Sequence, residues 1–242
     1  MEPLSPTVLV FLAFGAIGGV AGVLAGLLGI GGGAVIVPTL LLLFSQLGFA
    51  ADWIPHLAVA TSLTTVIASG AASAWSHHRR GAVRWELFAR LVPWLLIGGW
   101  LGAFVSGWLP ALWLKRIFAL FLLYNAVRLL SGRGAGSARP LPSTTVFSAI
   151  GTAFGALSAL LGIGGGILIV QFLTRFGVPM QRAVATSSAC GVPLAIAGSI
   201  GFVVTGWGRD GLPAHSLGFV YWPAALAIMV ASIPMATLGA RL

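Results

Sequence analysis

The segment Leu-Leu-Gly-Ile-Gly-Gly-Gly occurs twice, at residues 27–33 and 160–166, and each copy runs into a short apolar stretch. Glycine reaches positive φ without a Cβ clash and leaves backbone N–H groups open to approach. A helix that begins just after such a run aims its unpaired N–H groups, and the positive end of its dipole, at whatever lies in the turn. The chemistry on offer is the binding of an anion without a fixed charge. Gly29, Gly31, Gly32 and Gly33 of one copy and Gly162, Gly164, Gly165 and Gly166 of the other are therefore candidate binding residues. A nucleotide-binding loop does not fit, because no Gly-Lys-Ser/Thr follows the glycines.

A second block, Ala-Val-Ala-Thr-Ser, also occurs twice, at residues 58–62 and 183–187. Its hydroxyls, on Thr61, Ser62, Thr186 and Ser187, lie within long apolar runs. They either meet a ligand or serve as glue, bonding to helix carbonyls or across a helix interface. Gln171 interrupts an apolar run at the place where the other copy has Pro38, and its amide is expected to meet substrate or water. Asn125 and Cys190 are expected to be structural.

Charged chemistry is sparse. The four acids, Glu2, Asp52, Glu86 and Asp210, all fall in loops or at segment ends, so none is placed as the intramembrane proton carrier that a pump keeps. His56, near the start of the third apolar segment, is expected at an interface. His77, His78 and His215 show no metal-ligand spacing. No Ser/His/Asp or Cys/His set can be assembled, so neither an enzyme nor a bound cofactor or metal is expected.

These residues sit in a chain of 242 residues that is 58% hydrophobic and only 7% charged. A soluble domain carries about 25% charged residues. So few charges cannot cover a water-facing surface, and the expected class is an all-α polytopic membrane protein. The net charge of +9 comes from residues scattered singly between apolar runs, which read as topology signals and not as a nucleic-acid face. The single cysteine excludes an intramolecular disulfide. The first apolar run is too long for a cleaved signal core and is read as a retained span.

Nine apolar segments are expected, at about 6–28, 34–49, 54–76, 87–109, 111–130, 144–161, 166–178, 183–206 and 217–240. The second and seventh are short. From Gly166 to Arg175 an α-helix covers roughly 14 Å, about half a bilayer. Either Arg175 snorkels to the interface or the glycine segment lies below the membrane surface, and the second is the expectation. Of the 13 Lys and Arg residues, Lys115, Arg116 and Arg209 fall on one side and the other ten on the opposite side. The richer side is expected to be cytoplasmic, with the N-terminus outside an inner or plasma membrane.

The glycine motifs align at an offset of 133, where Gly18, Gly22 and Gly26 meet Gly151, Gly155 and Ala159. Small residues four apart make one helix face that lets another backbone come close. Ile36 and Val37 match Ile169 and Val170; the Thr-Ser block repeats at an offset of 125, and Pro93 faces Pro223 at 130. Residues 1–130 and 144–242 are thus two membrane repeats joined by a polar cytoplasmic linker, 131–143. Five segments per repeat is an odd number, so the second copy enters the membrane inverted. The second copy has no partner for segment five: either the chain continues past Leu242 with a further helix, which is the expectation, or the tenth helix is absent. Inverted repeats with short, glycine-interrupted segments in matching places point to the substrate site of a secondary transporter.

The paired stretches GLLGIGGGAVIVP and ALLGIGGGILIVQ, each with a downstream AVATS, resemble the sulfite exporter TauE/SafE family of membrane permeases. The resemblance spans nearly the whole chain apart from the linker. It implies export of small sulfur-containing anions, sulfite or organosulfonates. It carries a site onto residues 29–33 and 162–166, Pro38 and the two Thr-Ser pairs, with Gln171 departing from the motif's proline. The partners expected are a small anion, the lipid bilayer and, as an oligomer, a second copy in a homodimer; no nucleic acid is expected. Other small anions such as carboxylates, a channel-like pore, and a non-transporting membrane scaffold are the rival readings.

Overall fold

Backbone N–H and C=O groups find no water in hydrocarbon, so a chain this apolar has to satisfy them inside helices. The computed structural model describes residues 6–29, 31–131 and 143–241. Glu2, Ile30 and all but the two ends of the expected linker lie outside the described residues. Among the described residues the chain forms nine α-helices and one two-stranded hairpin. They are α1 (Pro6–Leu28), α2 (Gly33–Gln46), α3 (Ile54–His78), α4 (Trp85–Ser106), α5 (Ala111–Leu130), α6 (Thr144–Leu161), α7 (Gly166–Arg175), α8 (Met180–Gly206), β1 (Ser216–Leu217), β2 (Val220–Tyr221) and α9 (Trp222–Gly239). Six of these, α1, α3, α4, α6, α8 and α9, are long and apolar enough to cross a membrane. Helix α5 matches them in length but carries Lys115, Arg116 and Arg128. Helices α2 and α7, with 14 and 10 residues, are the short ones.

The ninth segment starts later than its hydropathy indicates. Residues 216–221 form the antiparallel hairpin, with Ser216 opposite Tyr221 and Leu217 opposite Val220. Gly218 turns it at a φ of 55°. The apolar character of this stretch has another cause: Phe219 is fully buried, stacked on His56 with ring centroids 5.1 Å apart. His56 itself, in the first turn of α3, is buried within the protein. Its Nε2 lies 3.1 Å from the Ser106 carbonyl and 3.0 Å from the Leu109 carbonyl. Only a protonated Nε2 can serve both acceptors, so the ring donates to the carbonyls that finish α4.

Helices α3 and α8 form the centre and are the most enclosed of the six. Two hydroxyl pairs bridge them, Thr64 to Ser199 and Ser73 to Ser188, each at 3.1 Å. Around this axis α1 packs most extensively on α9, and α4 on α6; α4 also lies on α8, and α3 on α9. The outer faces remain apolar, with Leu42, Leu120, Val127, Val230 and Trp207 exposed. In lipid that is the stable arrangement, since hydrocarbon meets hydrocarbon.

The small-residue ridges make the outer pairings close. A Cβ built on Gly22 would lie 2.6 Å from the Ser232 carbonyl oxygen and 2.9 Å from Met235 Cβ. One built on Gly155 would lie 2.5 Å from the Leu95 carbonyl oxygen. Gly15, on the same helix as Gly22, has nothing within 4 Å of such a Cβ. Thermal or denaturant unfolding in detergent should separate the two positions. Gly22→Ala is expected to cost about 1–3 kcal/mol by overpacking. Gly15→Ala is expected to be neutral, or stabilising by up to about 1 kcal/mol through helix propensity.

Candidate functional site

Each glycine run breaks a helix in the same way. Gly29, Gly31 and Gly32 take φ of 67°, 69° and 76°; Gly162, Gly164 and Gly165 take 68°, 67° and 81°. Gly162 ends α6 in the left-handed conformation, its N–H bonded to the Ala159 carbonyl and that of Ile163 to the Ser158 carbonyl. Gly32 and Gly165 are the N-caps of α2 and α7, each without a side-chain cap. Side chains with a Cβ are strained at six such positions, which is why these turns are almost bare backbone.

The two turns meet in the middle of the molecule. A Cβ on Gly33 would run into the Gly162 carbonyl, and one on Gly31 would come within 3.1 Å of the Ile163 carbonyl oxygen. The tips rest on Val66 of α3, which lies 3.0 Å from such an atom on Gly31 and 2.5 Å from one on Gly164. Val66 is the midpoint of α3, so the turns lie near half depth of the bundle. Facing Val66, Gly191 of α8 lets the Gly164 carbonyl approach to 2.8 Å of where its Cβ would be. A cavity of about 10 Å³ remains beside the junction, lined by Gly29, Gly31, Gly164, Ser187, Ser188 and Gly191 among others. That is roughly the space one water molecule needs, and no charged side chain lines it.

The duplicated hydroxyls hold this junction together. Ser62 Oγ donates to the Gly162 carbonyl at 2.9 Å. Ser187 Oγ donates to the Gly166 carbonyl at 3.0 Å and leans on that of Gly29 at 3.4 Å. Ser62 thus fastens the glycine turn that follows α6, while Ser187 holds the end of that same turn and reaches towards the one that follows α1. The threonines do a related job. Thr61 Oγ1 accepts the Tyr221 N–H at 3.0 Å, and Thr186 Oγ1 accepts the Arg84 N–H at 3.0 Å while donating to the Arg182 carbonyl. Tyr221 and Arg84 immediately precede α9 and α4, so each threonine fixes where a helix of the other half begins.

The remaining expected residues are placed elsewhere. Pro38 is inside α2, half-buried, and does not line the cavity. Gln171 finds protein partners where substrate or water was expected. Its Nε2 donates to Asn125 Oδ1 at 2.8 Å, and its Oε1 accepts from Arg128 of α5. Asn125 also donates to the Phe121 carbonyl, which gives it the structural role expected of it.

Sequence reasoning passed over Val66, Gly191, Ser188 and Ser158. Val66 and Gly191 occupy matching places at the 125 offset, but their side chains differ and no motif marks them. Ser158 is buried, and its Oγ has no partner among the described residues. It lies 3.6 Å from where a Cβ would sit on Gly165, at the start of α7. Its match in the first half is Ala25, so the repeat conceals it.

Substitution should distinguish holding from local back-bonding. Ser62→Ala and Ser187→Ala each strand a buried carbonyl and are expected to lower unfolding free energy by about 1–3 kcal/mol. Thr39→Ala, whose hydroxyl only returns to the Val35 carbonyl of its own helix, is expected to stay within about 0.5 kcal/mol of the parent. Thermal shift of purified protein in one detergent reads both.

The sequence model of the family described as "Sulfite exporter TauE/SafE" matches residues 14–242. A probable membrane transporter protein of Haemophilus influenzae is 36% identical over 217 residues, which cover 89% of this chain and 82% of the relative. Its counterpart in Methanocaldococcus jannaschii is 29% identical over 219 residues, covering 89% and 80%. A third, from Bacillus subtilis, is 26% identical over 190 residues, covering 75% and 74%. No solved structure matches the chain.

Proposed function

The chain belongs to the sulfite exporter TauE/SafE family of membrane transporters, and on that premise we propose that it carries small sulfur-containing anions, sulfite or organosulfonates, outward across the cell's inner membrane. The observation that carries this reading is the meeting of two broken helices at half depth, each offering a helix start. A helix start attracts an anion through its free N–H groups and its dipole end, and does so more strongly where water is excluded. The partnerless hydroxyl of Ser158, buried beside the start of α7, supplies a further donor.

An inverted repeat moving in alternating access is the mechanism proposed. Its support is the way contacts survive exchange of the halves. Helix α1 lies on α9 as α4 lies on α6, and α3 on α9 as α4 on α8. The serine and threonine bonds repeat the same exchange. The central cavity is too small for a four-atom oxyanion, so this conformation is closed, which favours a carrier over an open pore. Opening requires the turns to separate on one side at a time. With ten of 13 basic residues at one end, that end is assigned to the cytoplasm and the N-terminus to the outside. A cytoplasm about 100 mV negative then drives one negative charge outward by about 2.3 kcal/mol, roughly fiftyfold in concentration, with no coupled proton.

Proteoliposomes preloaded with cold sulfite should take up labelled sulfite, and the rate should follow a clamped membrane potential. Gly32→Leu and Gly165→Leu, both at positive φ, are expected to abolish counterflow when correctly inserted. Ser158→Ala, a gentler change, is expected to weaken apparent affinity about tenfold, the equivalent of one hydrogen bond to a charged group. Normal transport by both leucine variants would overturn the site. Counterflow with a carboxylate but not with sulfite or sulfonates would keep the carrier and replace its substrate.

A further inference from the structure

The geometry points to a second anion site, apart from the glycine turns, that binds the phosphate of a membrane lipid headgroup. Where α3 and α9 finish side by side, Ser76, Arg79 and Arg80 of one and Thr237 and Arg241 of the other enclose a cavity of about 290 Å³ together with Trp75. Three arginines line this space, and no acidic side chain among the described residues does. The nearest-in-sequence acid, Glu86, is not among the lining residues, and Asp52 and Asp210 lie at the opposite end of α3, where Trp53 bonds the Asp210 carbonyl. Part of Arg80 is occupied, since it donates to the Ala240 carbonyl and so ties the two helix ends together. Arg79 and Arg241 are exposed.

Like charges gathered without a counter-charge repel one another, and a bound anion converts that repulsion to attraction. Guanidinium groups suit phosphate because their planar fork meets two oxygens at once. Two hydroxyls add neutral donors. The apolar rim chooses the source of the phosphate. Trp75 is 66% exposed and Leu238 48%, and both flank the basic residues on the outward face of the bundle. Surfaces like these are covered by acyl chains, and tryptophan is favoured at headgroup level. A basic pocket between helix ends at the membrane interface is where an anionic phospholipid places its headgroup. A free phosphate would use the arginines and leave the apolar rim unexplained.

The test uses the full chain purified in a mild detergent, with native mass spectrometry of lipid adducts. The parent protein is expected to retain cardiolipin or phosphatidylglycerol over phosphatidylcholine by at least about fivefold. Arg79→Gln combined with Arg241→Gln leaves the Arg80 tie in place and is expected to remove that preference. Arg90→Gln combined with Arg175→Gln removes the same charge elsewhere and is expected to keep it. Should the first pair not give monodisperse protein, each single variant is measured instead, with about a threefold loss expected from either. Equal retention by parent and variants, or no preference between anionic and zwitterionic lipid, overturns the site. Displacement of the lipid by millimolar inorganic phosphate, with phosphate remaining bound, would reassign it to a soluble anion and overturn the lipid.

Discussion

A helix interrupted inside hydrocarbon leaves backbone groups that nothing in the solvent can satisfy. Much of this structure is the consequence of covering two such interruptions. The glycine turns are sealed by each other, by Val66 and Gly191 on the central helices, and by Ser62 and Ser187, which bond the carbonyls of Gly162, Gly166 and Gly29. The bundle is built inward from that need. The central helices α3 and α8 carry the hydroxyls that close the turns, and α1, α4, α6 and α9 wrap them through glycine contacts tight enough to exclude lipid.

Much of this is legible in the residues. Helices α1, α5 and α6 begin and end where the apolar runs do, because charges, prolines and glycines mark the borders of a membrane segment more sharply than those of a soluble helix. The short α2 and α7 follow from the distance between a glycine run and the next polar residue. The hairpin at 216–221 was hidden, because Phe219 and Val220 are apolar for burial against His56 and Phe202 and not for lipid. Hydropathy cannot tell those two surroundings apart.

At the candidate site the sequence indicates the glycines and hydroxyls but not how they divide the work. A serine that ligates an anion and one that grips a carbonyl are the same letter. Position decides, and the structure puts Ser62 and Ser187 on carbonyls, and Thr61 and Thr186 on N–H groups. Gln171 looked like a stranded amide because its partners, Asn125 and Arg128, are more than forty residues away on α5. Ser158 carried no signal at all, since its oddity is the lack of a partner, which only packing reveals.

The crossing of hydrogen bonds between halves has an evolutionary consequence. Ser62 answers to Gly162, Ser187 to Gly29, Thr61 to the chain before α9, and Thr186 to the chain before α4. Each half is the other's immediate environment, so neither can drift at these points without a matching change in its twin. Between the glycine motif and the Thr-Ser block the offset falls from 133 to 125, and the shorter α7 and the shorter connection after it account for the change. The glycines and the Thr-Ser pairs that these bonds engage are therefore the same letters in both stretches, while neighbours such as Val66 and Gly191 differ.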